Sequence, residues 1–390
     1  MRTGTVSVSR LEHITRIGVE QMGDLADSLD DPEVLRLENL DTNILPPPSA
    51  VAFTREAIVH DDANSYLPFF GLDSIRKAAT GLVGRQSGMT YDWKTESVIS
   101  AGGLSGILNV LLAALEPGDE VLMTDPTYVG LINRVRLAGG VPRYVPLTPT
   151  ASGWRLDREA LETIDRGPVR ALLMMSPSMP TGAVFDREDW LTLAAFAEEA
   201  DCWLINDSAM ERILFDDREV IHPASLDGMR DRVITVGSAS KEYRMIGWRV
   251  GWVVGPDSLL ADVARVSITN VVCQTGIAMG AVATAIDAAD DGVADSAREL
   301  QLRRDLILEE LADFSPIPPH GGWSMLIDVS PLGMDGPTAS SLLLEKGKIA
   351  ATPMVNWGGA HCANYLRLVF SNESTERLTG IGDRFRAALG

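Results

Sequence analysis

The chain has 390 residues, 45% hydrophobic and 23% charged, with 34 basic against 54 acidic side chains and a net charge of −20. A surface this acidic repels nucleic acid and anionic lipid, so neither is an expected partner. The length admits two domains, and no run of apolar residues is long enough to span a bilayer. The three cysteines, Cys202, Cys273 and Cys362, offer neither a disulfide framework nor a metal-ligand spacing, so no metal is expected. Cys202 and Cys273 sit in apolar surroundings and read as small core residues. The polar stretch Met1–Arg10 lacks an apolar signal core, which points to a cytoplasmic protein.

Residues 1 to about 35 read as helical, and Val34–Leu40 as a short strand. Pro46, Pro47 and Pro48 cannot continue a helix interior or a central strand, so 41–48 is an extended crossing segment. Asn64–Leu72 is an aromatic loop around Tyr66 that leads into a helix over 72–82. Glu96–Leu115 reads as strand, small-residue turn and helix. Gly102 and Gly103 at that helix start let backbone N–H groups close on an anion, where the helix dipole also favours negative charge. A simple packing turn is the plainer reading of the same glycines.

The turn Pro117–Gly118 precedes a strand ending near Asp125, with Tyr128 just past it. Ligands of open α/β sheets bind outside the carboxyl ends of strands, where an aromatic ring can stack on a flat heterocycle. A buried core tyrosine is the alternative. A strand from Ala171 runs into the loop Ser176–Gly182, and another over 201–207 ends in Asp207, which alone reads as a cap or turn former.

Val233–Val236 is an apolar β-branched run, followed by the hydroxyl-rich turn Gly237–Ser240 and then Lys241. Arg249 lies in a second apolar stretch, Trp248–Val254. A lysine between a buried strand and a glycine-punctuated return is oddly placed for a solvated charge. It suits an amine kept for Schiff-base chemistry, beside a serine and an arginine that hold a phosphate; a surface turn with two ordinary cations is the alternative. Helical patterns then run to near Glu310, where Arg303–Asp305, Glu309 and Glu310 read as a solvated helix face. A smaller α+β unit begins near Pro318, with His320 as a solvated loop histidine and Trp323 as a candidate pocket wall. Arg367 falls in an alternating apolar strand, where a guanidinium needs a partner. A substrate carboxylate is its natural bidentate ligand, a structural salt bridge the alternative.

The series Ser238, Ser240, Lys241, Gly247, Arg249 and Gly251 resembles the lysine motif of the class I and II aminotransferases, the aspartate aminotransferase family. The stretches Pro117–Val121, Pro126–Tyr128 and Pro177–Gly182, then Asp207, then Tyr365–Arg367, resemble further motifs of that family in its order, across nearly the whole chain. The resemblance implies a fold type I α/β architecture. Its large domain, 50–285, would carry a mostly parallel sheet with helices on both faces, and 1–49 with 286–390 would form a smaller α+β domain. It also implies pyridoxal 5′-phosphate, bound through its aldehyde by Lys241.

On that resemblance Ser238, Arg249 and the backbone of Gly103 and Leu104 hold the phosphate, Tyr128 stacks on the ring and Asp207 pairs with the pyridine nitrogen. Arg367 binds the substrate carboxylate. Tyr66 crosses an interface to the neighbour's phosphate, which makes the enzyme a homodimer with shared active sites. The implied reaction moves an amino group from an α-amino acid to a 2-oxo acid through an imine at Lys241. Three positions depart from the family: Ser176 and Met179 replace two asparagines and Met210 a tyrosine; the second asparagine and the tyrosine donate to the cofactor's phenolic oxygen, and a thioether cannot donate. The two thioethers are expected to keep the imine protonated to higher pH unless Ser176, a water or another group supplies the missing donor. They also leave open another reaction on the scaffold: β- or γ-elimination, a cyclising synthesis or amino-acid oxidation. A non-catalytic binder of cofactor or amino acid is the more distant alternative. No role attaches to Leu40 or Asn43, and Phe69, Phe70, Trp323 and Trp357 lean toward an apolar substrate.

Overall fold

In the computed structural model, which describes residues 8–390, the apolar runs that alternate with helical stretches assemble into one eight-stranded sheet. Its strands are β1 (Ser97–Ser100), β2 (Glu120–Asp125), β3 (Val141–Thr150), β4 (Gly153–Leu156), β5 (Val169–Met175), β6 (Trp203–Asp207), β7 (Val233–Ser238) and β8 (Gly251–Val254). They lie side by side in the order β1-β8-β7-β6-β5-β2-β3-β4. Strands β2, β3, β5, β6 and β7 are parallel, while β8 is antiparallel to both β1 and β7, and β4 to β3. The parallel strands therefore end together on one edge, the edge where ligands bind in such sheets.

Period-two alternation sorts the core. The helices around it are α1 (Asp73–Ser87), α2 (Gly103–Ala114), α3 (Val129–Leu137), α4 (Arg187–Glu199), α5 (Asp257–Val271), α6 (Gly276–Ile286) and α7 (Val293–Glu310). Met123, Leu173, Ile205 and Ile234 pack on one face with α2, α3 and α5. Their strand neighbours Leu122, Leu172, Leu204 and Val233 pack on the other with α4 and α7. A separate cluster joins α1 and α6 through Ile75, Leu82, Met279 and Val282.

A second, antiparallel sheet is made of β9 (Ser324–Asp328), β10 (Thr352–Pro353) and β11 (Tyr365–Val369), in the order β9-β11-β10. Leu35–Arg36 pairs in parallel with Ile349–Ala350, which ties the N-terminal segment to this part of the chain. Among the described residues no helix is long and apolar enough to cross a membrane.

Several local expectations change. The strand expected over Val34–Leu40 shrinks to Leu35–Arg36, and the helical N-terminal region resolves into Ser9–Glu12 and Val19–Ser28. Pro48 opens the helix Pro48–Ala57, a position where a missing N–H is harmless. The helix expected over 72–82 runs to Ser87 and stops where Gly88 turns left-handed at φ 72°.

The expected solvated face of α7 holds only in part: Asp305 and Glu309 are exposed, whereas Arg303, Arg304 and Glu310 form a structural seam. Arg303 is buried and donates to the carbonyls of Phe370 (3.4 Å) and Ser371 (2.8 Å). Arg304 is buried and forks onto both Asp216 oxygens, each at 2.7 Å. Glu310 accepts the N–H groups of Gly380 (2.8 Å) and Gly382 (2.9 Å). His320 is likewise buried, its Nε2 lying 2.6 Å from the carbonyl of Ser152. Cys202 is a core residue as expected, but Cys273 is part-exposed near the end of α5.

Candidate active site

The carboxyl ends of β6 and β7, the start of α2 and the start of α3 converge on a cavity of about 210 Å³. Gly103, Leu104, Tyr128, Asp207, Ser238, Lys241 and Arg249 all line it. Residues spread over 146 positions of sequence thus meet because parallel strands share one edge.

Lys241 follows β7 immediately after the turn. The residue keeps partial exposure to the cavity, yet its amine is enclosed by protein. Nζ donates to the carbonyl of Leu40 at 3.1 Å and sits 4.3 Å from the ring centre of Trp323. Burial pushes its pKa down from 10.5 to about 7, helped by the positive charges of Arg367 and Arg249 and opposed by Asp41 and Asp207. A large fraction of this amine is uncharged near neutrality, the state in which it is a nucleophile and a base.

Asp207 closes β6 and is 5% exposed. Burial raises its carboxyl to about 6, against the lowering effects of the Ala209 N–H (3.2 Å), Arg134 and Lys241. A buried carboxylate of this kind gains most from a cationic ring N–H placed beside it.

The opposite wall is built to take an anion. No side chain caps the start of α2, so its first N–H groups are left for a ligand. Ser238 Oγ lies 3.0 Å from Ser240 Oγ, and Arg249 Nη1 donates to Ser240 Oγ (3.3 Å) and to the Ile246 carbonyl (2.9 Å). Glycine is favoured here for two reasons: Gly102 has φ 84°, which L side chains rarely adopt, and a Cβ on Gly251 would lie 2.6 Å from the Gly103 backbone nitrogen.

Arg367 does not line the cavity but stands behind it on β11, fully buried. Nη2 donates to the Glu38 carbonyl (2.6 Å) and to Thr352 Oγ1 (3.0 Å), and the guanidinium lies 4.7 Å from the ring centre of Trp357. Among the described residues Nε and Nη1 have no partner. Burial lowers its pKa to about 10, against Tyr128 and Glu38. Unpaired donors on a buried cation are costly, so their presence marks a group that awaits an anion.

Met179 and Met210 are buried and line the remaining wall with Met175 and Ile246. The Ser324 hydroxyl lies 3.3 Å from Met179 Sδ and donates to the Pro180 carbonyl at 2.8 Å. Ser176 is no substitute lining residue; its hydroxyl accepts the Phe185 N–H at 2.9 Å. Trp323 lies against the Lys241 amine but does not itself line the cavity, and Phe69 and Phe70 sit on the surface, 48% and 38% exposed, outside that lining. Tyr66 is 85% exposed.

Sequence reasoning left two participants without a role. Leu40 acts through its carbonyl, which any residue carries, so no side-chain signal exists. Arg134 donates from Nε to the Leu104 carbonyl at 2.8 Å and so braces the start of α2; with Asn133 and Arg136 beside it on the same helix, nothing in the sequence marks it out.

One cavity therefore holds a depressed amine, a buried carboxylate, an aromatic ring, and a glycine, serine and arginine wall for an anion. A phosphorylated pyridine aldehyde fits each of these groups. The family model for aminotransferases of class I and II matches residues 36–384. The chain is 33% identical over 311 residues to an N-succinyldiaminopimelate aminotransferase (named as probable) of Mycobacterium tuberculosis, covering 79% of this chain and 78% of that one. It is 32% identical over 330 residues to the aspartate/prephenate aminotransferase of Thermus thermophilus, covering 83% of each. The solved structure of the N-succinyldiaminopimelate aminotransferase from Mycobacterium tuberculosis superposes with a TM-score of 0.91 at 30% identity, covering 99% of this chain and 100% of that one. The fold, the cavity and these likenesses agree: the chain belongs to the class I and II aminotransferases, fold type I enzymes that use pyridoxal 5′-phosphate to move an amino group from an amino acid to a 2-oxo acid.

Proposed function

We propose that this enzyme transaminates α-amino acids with an uncharged, apolar side chain, with Lys241 as the catalytic residue. The observation that carries the reading is the pairing of an amine depressed to about 7 with a buried arginine, Arg367, whose Nε and Nη1 have no partner among the described residues. When bound, pyridoxal phosphate supplies the aldehyde that links to an amine and the ring that accepts the electrons of a broken Cα–H bond.

Lys241 then takes the proton from the substrate Cα and returns one, as a base and an acid whose pKa is matched to neutral pH. Asp207 holds a proton on the ring nitrogen, and Tyr128 keeps the ring in place by stacking. Ser238, Arg249 and the N–H groups of Gly103 and Leu104 anchor the phosphate. Arg367 receives the substrate carboxylate on its two free donors, which sets the angle at which the Cα–H bond meets Lys241. Leu40, Met175, Met179, Met210 and Ile246 leave the side chain an apolar surround, and Arg249 is the only arginine that lines the cavity among the described residues.

We assign 50–285 to the cofactor-binding domain and 1–49 with 286–390 to the smaller one, and we place the enzyme in the cytoplasm, consistent with three unpaired cysteines. The homodimer belongs to the same proposal. Tyr66, Phe53, Phe69 and Phe70 are exposed aromatic residues, which supports a second subunit covering them and bringing Tyr66 to the partner's phosphate.

A panel of amino donors at fixed 2-oxo acid tests the reading. It expects kcat/KM for leucine, methionine or phenylalanine to exceed that for aspartate or glutamate by at least about 100-fold, the penalty of an unpaired carboxylate in an apolar wall. A preference for the dicarboxylic donors overturns it.

A further inference from the structure

Beside the seam between the two sheets, away from the cavity, Asp125, His361 and Cys362 bring three different ligand atoms together. Asp125 closes β2; His361 and Cys362 lie on the turn Ala360–Asn364 that leads into β11. Cys362 Sγ lies 3.3 Å from Asp125 Oδ1. His361 Nε2 is 3.7 Å from the same oxygen and 3.8 Å from the sulfur. A tetrahedral zinc ion, with sulfur at about 2.3 Å and nitrogen and oxygen at about 2.0–2.1 Å, spaces its ligand atoms roughly 3.3–3.6 Å apart. Each edge of the triangle falls within about half an ångström of that spacing, a gap that rotation of the exposed imidazole can close.

The surrounding backbone is shaped to the carboxylate. Gly358 has φ 148°, and a Cβ there would collide with Asp125 Oδ1. Gly359 donates its N–H to both Asp125 oxygens, at 3.1 and 3.2 Å, which orients them as outer partners orient metal ligands. Asp125 and Cys362 are buried, while the His361 side chain is 52% exposed, so water can reach a fourth coordination position. A thiolate and an imidazole together select zinc over magnesium or calcium.

We propose that Asp125, His361 and Cys362 bind a zinc ion with water as fourth ligand. As the Zn–S bond forms, the Cys362 proton leaves to solvent, and the thiol–carboxylate hydrogen bond gives way to two bonds to the metal. The ion joins the end of the strand that leads to Tyr128 with the turn that follows Trp357. Those two rings already pack at 5.4 Å, and the Thr127 N–H donates to the Trp357 carbonyl at 2.9 Å. Zinc is thus a clasp across a seam that also carries Arg367 over Trp357. The proposal does not depend on the choice of amino-acid substrate.

Chelator-treated holoenzyme titrated with zinc against a chromogenic chelator should bind one ion per chain. His361→Ala and Cys362→Ser should each weaken that binding at least about 100-fold, because loss of even an outer partner costs about 10–100-fold. With cobalt in place of zinc, the wild type should show the intense visible bands of tetrahedral coordination, and Cys362→Ser should lose them. Zinc-free activity of His361→Ala should match that of the wild type. Should Cys362→Ser fail to fold, the exposed His361→Ala variant still decides. Absence of stoichiometric zinc, or zinc held equally by the variants, overturns the proposal.

Discussion

Arg212, next to the Asp207 strand end, has every nitrogen engaged: Nε on Glu242 at 2.8 Å, Nη1 on Asp291 at 2.5 Å and Nη2 on the Tyr243 hydroxyl at 2.9 Å. Arg367, behind the other wall of the cavity, is more deeply buried yet leaves Nε and Nη1 without partners among the described residues. The surroundings of Arg212 raise its pKa above the ordinary arginine value even though burial opposes this, because Glu242, Tyr243 and Asp291 stabilise the charge. The surroundings of Arg367 lower it to about 10. One region uses its buried cation to hold the fold together. The other keeps a buried cation short of partners, next to a lysine whose amine is depressed for the same reason. Such unmet charge does not serve the stability of the fold; under the proposed function, the substrate carboxylate completes it.

The largest expected effect lies on the unpartnered side. Lys241→Ala should lower kcat by about 10⁴-fold, the upper range for loss of a positioned acid–base group. Borohydride reduction should leave the cofactor on the Lys241 peptide in the wild type only; a variant within tenfold of wild-type turnover would break the comparison at its centre. Because only the free amine reacts, uptake of cofactor by the apoprotein should rise with pH around a midpoint near 7 rather than 10.5. Arg367→Leu removes a positive neighbour that favours the neutral amine, so it should move that midpoint upward.

Arg212→Met comes next. It strands Glu242 and Asp291 and should cost about 3–5 kcal/mol of stability, read by chemical denaturation. Arg367→Leu should behave in the opposite manner: stability unchanged or raised, with kcat/KM for the amino acid lower by roughly 30- to 1000-fold, about 2–4 kcal/mol. Equal destabilisation by the two substitutions would erase the distinction between them. The smallest effect belongs to the exposed rim. Tyr66→Phe should weaken cofactor binding by about 10- to 100-fold, the worth of one hydrogen bond to a charged group, and only if the partner's phosphate receives it.

Much of the cavity was legible in advance. Lys241, Asp207, Ser238, Gly103, Leu104 and Tyr128 were each placed at or beside a strand end or helix start by apolar runs and small-residue turns, and those ends do converge; Arg249, read as lying inside a strand, falls just before one and lines the same cavity. The failures share a cause. Arg303 and Arg304 looked solvated because their neighbours in sequence are charged, whereas their partners Ser371 and Asp216 are far along the chain. His320 was misread for the same reason, its partner being the Ser152 carbonyl. Leu40 could not be assigned because a backbone carbonyl leaves no trace in residue type.

Local pattern and side-chain chemistry, both readable residue by residue, determined the alternation of strands and helices, the acidic surface, and the kind of group at each strand end. Tertiary packing alone decided which charges are met and which are left open. It placed Glu38 and Thr352 on one nitrogen of Arg367 and nothing on the other two, and it set Asp125 against Cys362. The reason is that desolvation and pairing depend on what surrounds an atom from every direction, and most of those neighbours come from remote parts of the chain.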